Sequence, residues 1–300
     1  VKVNMTREDS KILLKEIYED IELPDSSPQG MEKYLTDNLA IDITFDLVLK
    51  EELLRAELIS APLTILILLF VFGTVVSASL PALSGIYTVI AAVGIIHGLT
   101  YIVDDLTVYA VNIVSLLGIG LSVDYSLFIV NRFREELGRG HDKRTAIAMT
   151  SATAGRAILF SGLTVVAGLT GMLFFENTGL PSLGWGGICA TLVALTSSVI
   201  LLPSILAILG DRINSGRVPL GLSTEVADDG FWYDLAKRVM SKPLSFLVPS
   251  VLVLLVAGAP FLQAEWGITS WKALSPDNEA RSGMELTDEN WPQEVSNTAL

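Results

Sequence analysis

Along most of this chain, apolar residues do not alternate with polar ones but run in long blocks. Six such blocks lie at about 61–77, 80–102, 107–130, 154–175, 184–209 and 243–262. A helix needs about 20 apolar residues to cross a bilayer, so each block predicts a membrane helix. Before them, MTREDSKILLKEIYEDI (5–21) predicts a soluble helix, broken by Pro24 through Gly30. After Asp42, ITFDLVLKEELLRAELIS is amphipathic and runs into the first block with only Pro62 as a breaker. This predicts a rigid connection between a soluble domain and the bilayer. Residues 210–229 are rich in turn formers and read as a linker. FWYDLAKRVMSK then sets Phe231, Trp232, Leu235, Val239 and Met240 against Lys237, Arg238 and Lys242. That pattern suits a helix at the membrane interface or, equally, one packed on protein. Beyond Trp266 the composition is soluble again, and Ser275 with Pro276 predicts a helix start.

Composition agrees: 51% of the 300 residues are hydrophobic, and the mean hydropathy is +0.54. The net charge of -13 sits at the ends: -7 over 1–57, -1 over 58–262 and -5 over 263–300. Acidic soluble ends argue against nucleic acid as a partner. The single cysteine, Cys189, cannot form an internal disulfide, and no cysteine pattern suggests a metal. The start at Val1 and the stop at Leu300 within a structured-looking segment predict a piece of a longer polypeptide.

Loop charge predicts orientation. The loop after the third block carries Arg132, Arg134, Arg139, Lys143, Arg144 and Arg156. The segment between the fifth and sixth carries Arg212, Arg217, Lys237, Arg238 and Lys242. The loops with Asp104, Asp105 and Glu176 carry no Lys or Arg, and the first turn, expected around Pro81, carries no charge. By the positive-inside rule the basic loops face the cytoplasm, which puts both soluble ends outside the cell membrane.

The chemistry concentrates in the third block, TVYAVNIVSLLGIGLSVDYSLFIVN (107–131), where Asp124 is the only full charge and Tyr125 stands beside it. An ionised carboxylate at mid-membrane depth costs at least about 2.5–3.5 kcal/mol on insertion scales and marks a functional site by default. Gly120, Leu121, Leu127, Phe128 and Asn131 lie on or near its face, and Gly118, Ser122 and Ser126 form a second, small-residue row. That row suits close helix approach, so Asp124 is expected to point into a bundle interior. Burial would raise its pKa toward neutrality. The bland alternative is an Asp that locks helices together, but no Lys or Arg lies deep in these blocks to pair with it. Tyr125 can relay a proton or hold a carboxylate, although it projects about 100° away on a regular helix. His97 could join a relay; a lone membrane histidine more often makes a local hydrogen bond. Ser161, Thr164, Gly168 and Gly171 share a face of the fourth block that reads mainly as packing, with Thr164 able to bond across helices.

GIGLSVDYSLFIVNRFREEL (118–137) resembles the MMPL branch of the resistance-nodulation-division (RND) transporter superfamily, as do residues 56–85 and 151–175. The resemblance implies one half of an RND-type bundle: an all-α polytopic membrane protein with six transmembrane helices and parts of α+β extracytoplasmic domains at both ends. Residues 1–57 would end a first porter domain, 58–209 form five membrane helices, and 210–242 form a cytoplasmic linker with its amphipathic helix. Residues 243–262 would be the sixth span and 263–300 the start of a second porter domain. It further implies a proton-driven exporter of lipids or other amphiphilic molecules, with the proton gradient as energy source and no cofactor. Asp124 and Tyr125 match the family's proton-relay pair, whose partner pair would lie in a second half of the same polypeptide. Gly120, Ser122, Ser126, Thr164 and His97 are the candidates for relay or packing support. Membrane lipid is an expected partner, and a homo-oligomer is open. A SecDF-like accessory of protein translocation and a sterol-sensing or receptor-like protein are the alternatives. Catalysis is disfavoured: Asp124 is alone at membrane depth, and His97 has no distinguished nucleophile beside it.

Overall fold

A computed structural model describes residues 38–103, 106–175, 179–218, 231–263 and 271–290. The expected helix at 5–21, the acidic loops at Asp104, Asp105 and Glu176, and most of the linker lie outside the described residues. By contacts the chain divides into two units, Arg55–Ala227 and Val1–Leu54 with Asp228–Leu300. The described residues are helical, with one isolated antiparallel bridge between Thr74 and Arg217. Among the described residues, six helices are long and apolar enough to cross a membrane: Glu51–Phe72, Val75–Leu99, Val108–Gly138, Lys143–Phe174, Leu180–Asn214 and Pro243–Gln263. The protein is an all-α, multi-pass membrane protein.

Helix α1 (Asn38–Phe72) and α2 (Val75–Leu99) correct the expected boundaries. Pro62 and Pro81 both lie inside helices. Membrane helices tolerate proline because neighbouring groups satisfy the freed carbonyl. The first turn falls instead at Gly73, whose φ of 65° places it in the left-handed region open to glycine.

Helix α3 (Val108–Gly138) organises the larger unit. It packs along α2 and along α6 (Leu180–Thr196). Between α3 and α6 the chain forms α4 (Lys143–Thr150), a π turn (Ser151–Gly155), α5 (Arg156–Thr170) and a 3-10 turn (Gly171–Phe174). After α6 come a second π turn (Ser197–Leu201), α7 (Leu202–Leu209) and a 3-10 turn (Gly210–Asn214). Small residues let the helices touch. A Cβ at Gly186 would overlap Ile113 Cγ2 and the Ala110 carbonyl oxygen, so α3 and α6 meet at backbone distance there. At Gly162 on α5 it would overlap the Leu195 side chain.

The basic end of this unit is clasped by polar contacts. Val75 N donates to Gly216 O at 3.0 Å, and Val218 N donates to Gly73 O at 2.9 Å. Ser77 Oγ donates to Ile213 O at 2.8 Å. From α3, Arg134 donates to Phe72 O and to Asn214 Oδ1, each at 2.9 Å, and its guanidinium lies 5.6 Å from the Phe72 ring centroid.

In the smaller unit, α8 (Phe231–Ser241) precedes α9 (Pro243–Gly258). The expected amphipathic helix is present; the side chains of Phe231 and Trp232 lie outside the described set. Tyr233, Lys237, Arg238 and Met240 are exposed. Helix α10 (Glu279–Asn290) starts later than Ser275 would have it. Asn278 Oδ1 accepts from Ala280 N at 3.0 Å and is the capping side chain, while Ser275 O closes the preceding turn with Asn278 N at 2.9 Å. A small core of Leu274, Ala280 and Met284 packs with Ile41.

Candidate functional site

One turn of α3 carries two kinds of chemistry on two faces. The buried arc runs through Ala110, Val114, Gly118, Ser122, Tyr125, Ser126 and Ile129. At 100° per residue these side chains fall within about 160°, a little under half of the helix circumference. Asp124 lies outside that arc and is exposed, as are Leu116, Gly120, Phe128 and Asn131. The expectation that Asp124 points into the interior is therefore corrected for this chain. The small residues that suggested packing lie on its neighbour face. Asp124 makes no hydrogen bond or ion pair among the described residues. Gly120, one turn away, has open space where a Cβ would stand, so it supports no packing among the described residues.

The other candidates separate in the same way. Thr164 is exposed and donates to Phe160 O at 2.9 Å within its own helix, and it makes no cross-helix bond among the described residues. Gly168 and Gly171 also face open space. His97 is exposed, and its ring meets Tyr101 edge-on at 5.7 Å, a local contact away from Asp124. The Arg156 guanidinium lies 5.8 Å from the Phe160 ring centroid and does not pair with Asp124.

Ser122 and Ser126 are brought inside. The Ser122 hydroxyl lies 2.8 Å from Ser84 Oγ and accepts from Thr88 Oγ1 at 3.0 Å. Ser84 Oγ also lies 3.0 Å from Ser197 Oγ. Four buried hydroxyls from α2, α3 and the second π turn thus share one network. Interhelical hydrogen bonds in membrane proteins average about 0.6 kcal/mol each, so the network aligns the three segments more than it stabilises them. Beside it, the Tyr125 hydroxyl, Ser126 Oγ and Ser198 Oγ are buried without a hydrogen-bond partner among the described residues. A buried polar group left unmatched costs about 1–3 kcal/mol. Sequence reasoning missed Ser84 and Thr88 because hydroxyls are common in membrane helices and their partners lie far along the chain.

Toward the basic end, α3 carries an ion cluster that read as a simple charge run. Glu136 is fully buried among Arg132, Arg139 and His141. Arg139 Nη1 stands 2.9 Å from Glu136 Oε1, and His141 Nδ1 stands 2.8 Å from Oε2. Glu135 shares both arginines and is partly exposed. Just beyond, Asp142 caps α4. The Thr145 hydroxyl first, and then the Arg144 amide, hold its carboxyl below the usual carboxylate range.

Asp124 thus stands on the open face of α3, with the hydroxyl network on the buried side of the same helix. The family model of the MMPL family matches residues 14–246. The chain belongs to the MMPL family. It is 33% identical over 264 residues to a trehalose monomycolate exporter, MmpL3, of Mycobacterium tuberculosis, covering 79% of this chain and 28% of that protein. It is 33% identical over 266 residues to a mycolic acid-containing lipids exporter, MmpL11, of Mycolicibacterium smegmatis, covering 88% and 28%. A putative membrane protein of Streptomyces coelicolor, SCO6666, is 33% identical over 243 residues, covering 81% and 34%. The MMPL match takes in all of α2 through α7 and therefore both faces of α3. The chain spans about a third or less of the length of these relatives.

Proposed function

We propose that this chain forms part of a proton-motive-force-driven exporter of lipids or other amphiphilic molecules, in which Asp124 and Tyr125 are half of the proton relay. The observation that carries this reading is the exposure of Asp124 on α3, the helix whose other faces pack the bundle. A lipid-facing carboxylate at this depth is costly, whereas one facing a protein interface or a wet cavity is usable. The face of Leu116, Gly120, Asp124 and Phe128 is accordingly covered, in the working transporter, by a second set of membrane helices carrying a matching acid. Two relatives bear names as exporters of trehalose monomycolate and of mycolic acid-containing lipids, which supports an amphiphilic cargo. The basic loops lie in the cytoplasm and the soluble ends outside the cell membrane. The protein moves its substrate and does not transform it, and the proton gradient supplies the energy without a cofactor.

The test uses the whole transporter in cells with a traceable lipid cargo. Asp124→Asn abolishes export while leaving the protein in the membrane at its normal level, and Tyr125→Phe reduces export less. Normal export by a properly inserted Asp124→Asn transporter would refute the role assigned to Asp124.

A further inference from the structure

Two π turns, Ser151–Gly155 and Ser197–Leu201, interrupt helices that follow α3 in the chain. They contact each other, and both contact α3. Such turns are rare and occur mostly where a helix has a local task, because the inserted residue displaces the backbone from its regular ladder. Four buried side-chain polar atoms lack a hydrogen-bond partner among the described residues, and three belong to this neighbourhood: Tyr125 OH, Ser126 Oγ and Ser198 Oγ. The fourth, Arg132 Nε, belongs to the ion cluster.

Their placement follows from the hydroxyl network. Ser126 stands one turn beyond Ser122 on the same side of α3. Ser198 follows Ser197 within the second π turn. Ser84 Oγ bridges Ser122 and Ser197, at 2.8 and 3.0 Å, so the two serine rows are held side by side. Tyr125 packs in one core cluster with Ala154 of the first π turn and with Ala194 and Leu195 just before the second. Ser126 and Ser198 are 0% exposed, and Tyr125 is 7% exposed. Bulk solvent therefore does not satisfy them. Buried polar groups in native structures nearly always have a partner, protein or ordered water. The groups here are neutral hydroxyls with no carboxylate among them, which suits water and not a metal cation.

We propose that α3 and the two π turns hold an internal water site, one or a few molecules bonded by the Tyr125 hydroxyl, Ser126 Oγ and Ser198 Oγ. The site hydrates Tyr125 from the buried side of α3, about 100° around the helix from Asp124. It stands independently of the transport reading.

Microsecond X-ray hydroxyl-radical footprinting of the chain in lipid nanodiscs tests this directly. Radiolysis of a bound water releases the radical beside its ligands, so a buried side chain next to ordered water is modified and one in a dry core is not. Phe72 and Phe133, 1% and 0% exposed, are the dry controls, and Tyr101, 80% exposed, is the wet one. Tyr125 should be modified several times faster than Phe133. A radical scavenger in the bulk should suppress Tyr101 modification and spare Tyr125. A Ser126→Ala, Ser198→Ala double variant should slow Tyr125 toward the Phe133 rate and leave Tyr101 unchanged. Modification of Tyr125 no faster than of Phe133 in the unaltered chain overturns the proposal whatever the variant does. So does a Tyr125 rate that the bulk scavenger suppresses as fully as that of Tyr101.

Discussion

Replacing Glu136 should destabilise the membrane bundle more than replacing its neighbour Glu135. The two carboxylates share Arg132 and Arg139, but Glu136 is fully buried and Glu135 is 31% exposed. Removing one partner of a buried pair costs about 3–5 kcal/mol when the remaining charge stays buried and unpaired. Here Arg132 and Arg139 are 24% and 50% exposed and keep Glu135, so that penalty shrinks. What Glu136→Gln loses is close to one charge-assisted hydrogen bond, about 2 kcal/mol. Glu135→Gln removes only a partly exposed pair and should cost no more than about 1 kcal/mol. Cys189 supplies the assay. It is the chain's one cysteine and is buried, so a fluorogenic thiol reagent reports unfolding as it gains access during heating. By the usual scaling of midpoint with free energy, Glu136→Gln should lower the midpoint by about 4–8 °C. Equal shifts for the two variants, or a raised midpoint for Glu136→Gln, would refute the view that burial makes Glu136 the anchor of the cluster.

Two further outcomes follow from packing and capping. Gly186→Ala should destabilise by about 1–3 kcal/mol, because the new methyl meets the Ala110 backbone and forces α3 from α6. Gly168→Ala, in open space, should be neutral or gain up to about 1 kcal/mol of helix propensity in the same thiol assay. Asp142 has a depressed carboxyl, so its stabilisation of α4 is present above the ordinary carboxylate value and is lost as pH falls through the lower folded one. Asp142→Ala should therefore speed amide hydrogen exchange in the first turn of α4 relative to the unaltered chain at neutral pH. That difference should shrink in acid, and a difference constant with pH would contradict the assignment.

The six spans were legible because length and apolar content alone decide whether a helix can cross a bilayer. Their ends were less so. Pro62 and Pro81 read as breakers, yet both sit inside helices, and Gly73 makes the turn. The charge at Asp124 stood out by contrast with its surroundings. Its direction did not, because α3 has small residues on several sides and only the contacts to α2 and α6 show which side is buried. A Cβ at Gly118 would meet Ala190 and Thr88 at 3.5 Å, whereas one at Gly120 would meet open space; no property of the two glycines in sequence distinguishes them. The π turns likewise leave no mark in the sequence. The charges of NRFREELGRGHDKR read only as a mark of orientation, and the burial of Glu136 shows that they also form a cluster with an inside.

The contacts along α3 are graded from end to end, and the gradation bears on what the helix can do. Near Ala110 and Ile113 it is pinned to α6 by backbone approach at Gly186, where even a methyl cannot be inserted. From Phe133 to Arg139 it is pinned by the Arg134 contacts to Phe72 and Asn214, each charge-assisted bond being worth about 1.5–3 kcal/mol. Between them, from Gly118 to Ser126, the polar contacts are neutral hydroxyl pairs averaging about 0.6 kcal/mol each. The segment of α3 that bears Asp124 and Tyr125 is thus held by neutral contacts among the described residues, and Tyr125 shares its core cluster with Ala154 of the first π turn. On the proposed reading, Asp124 would act on a stretch of α3 held by hydroxyl and apolar contacts, while the close approach at Gly186 and the Arg134 bonds hold the two ends.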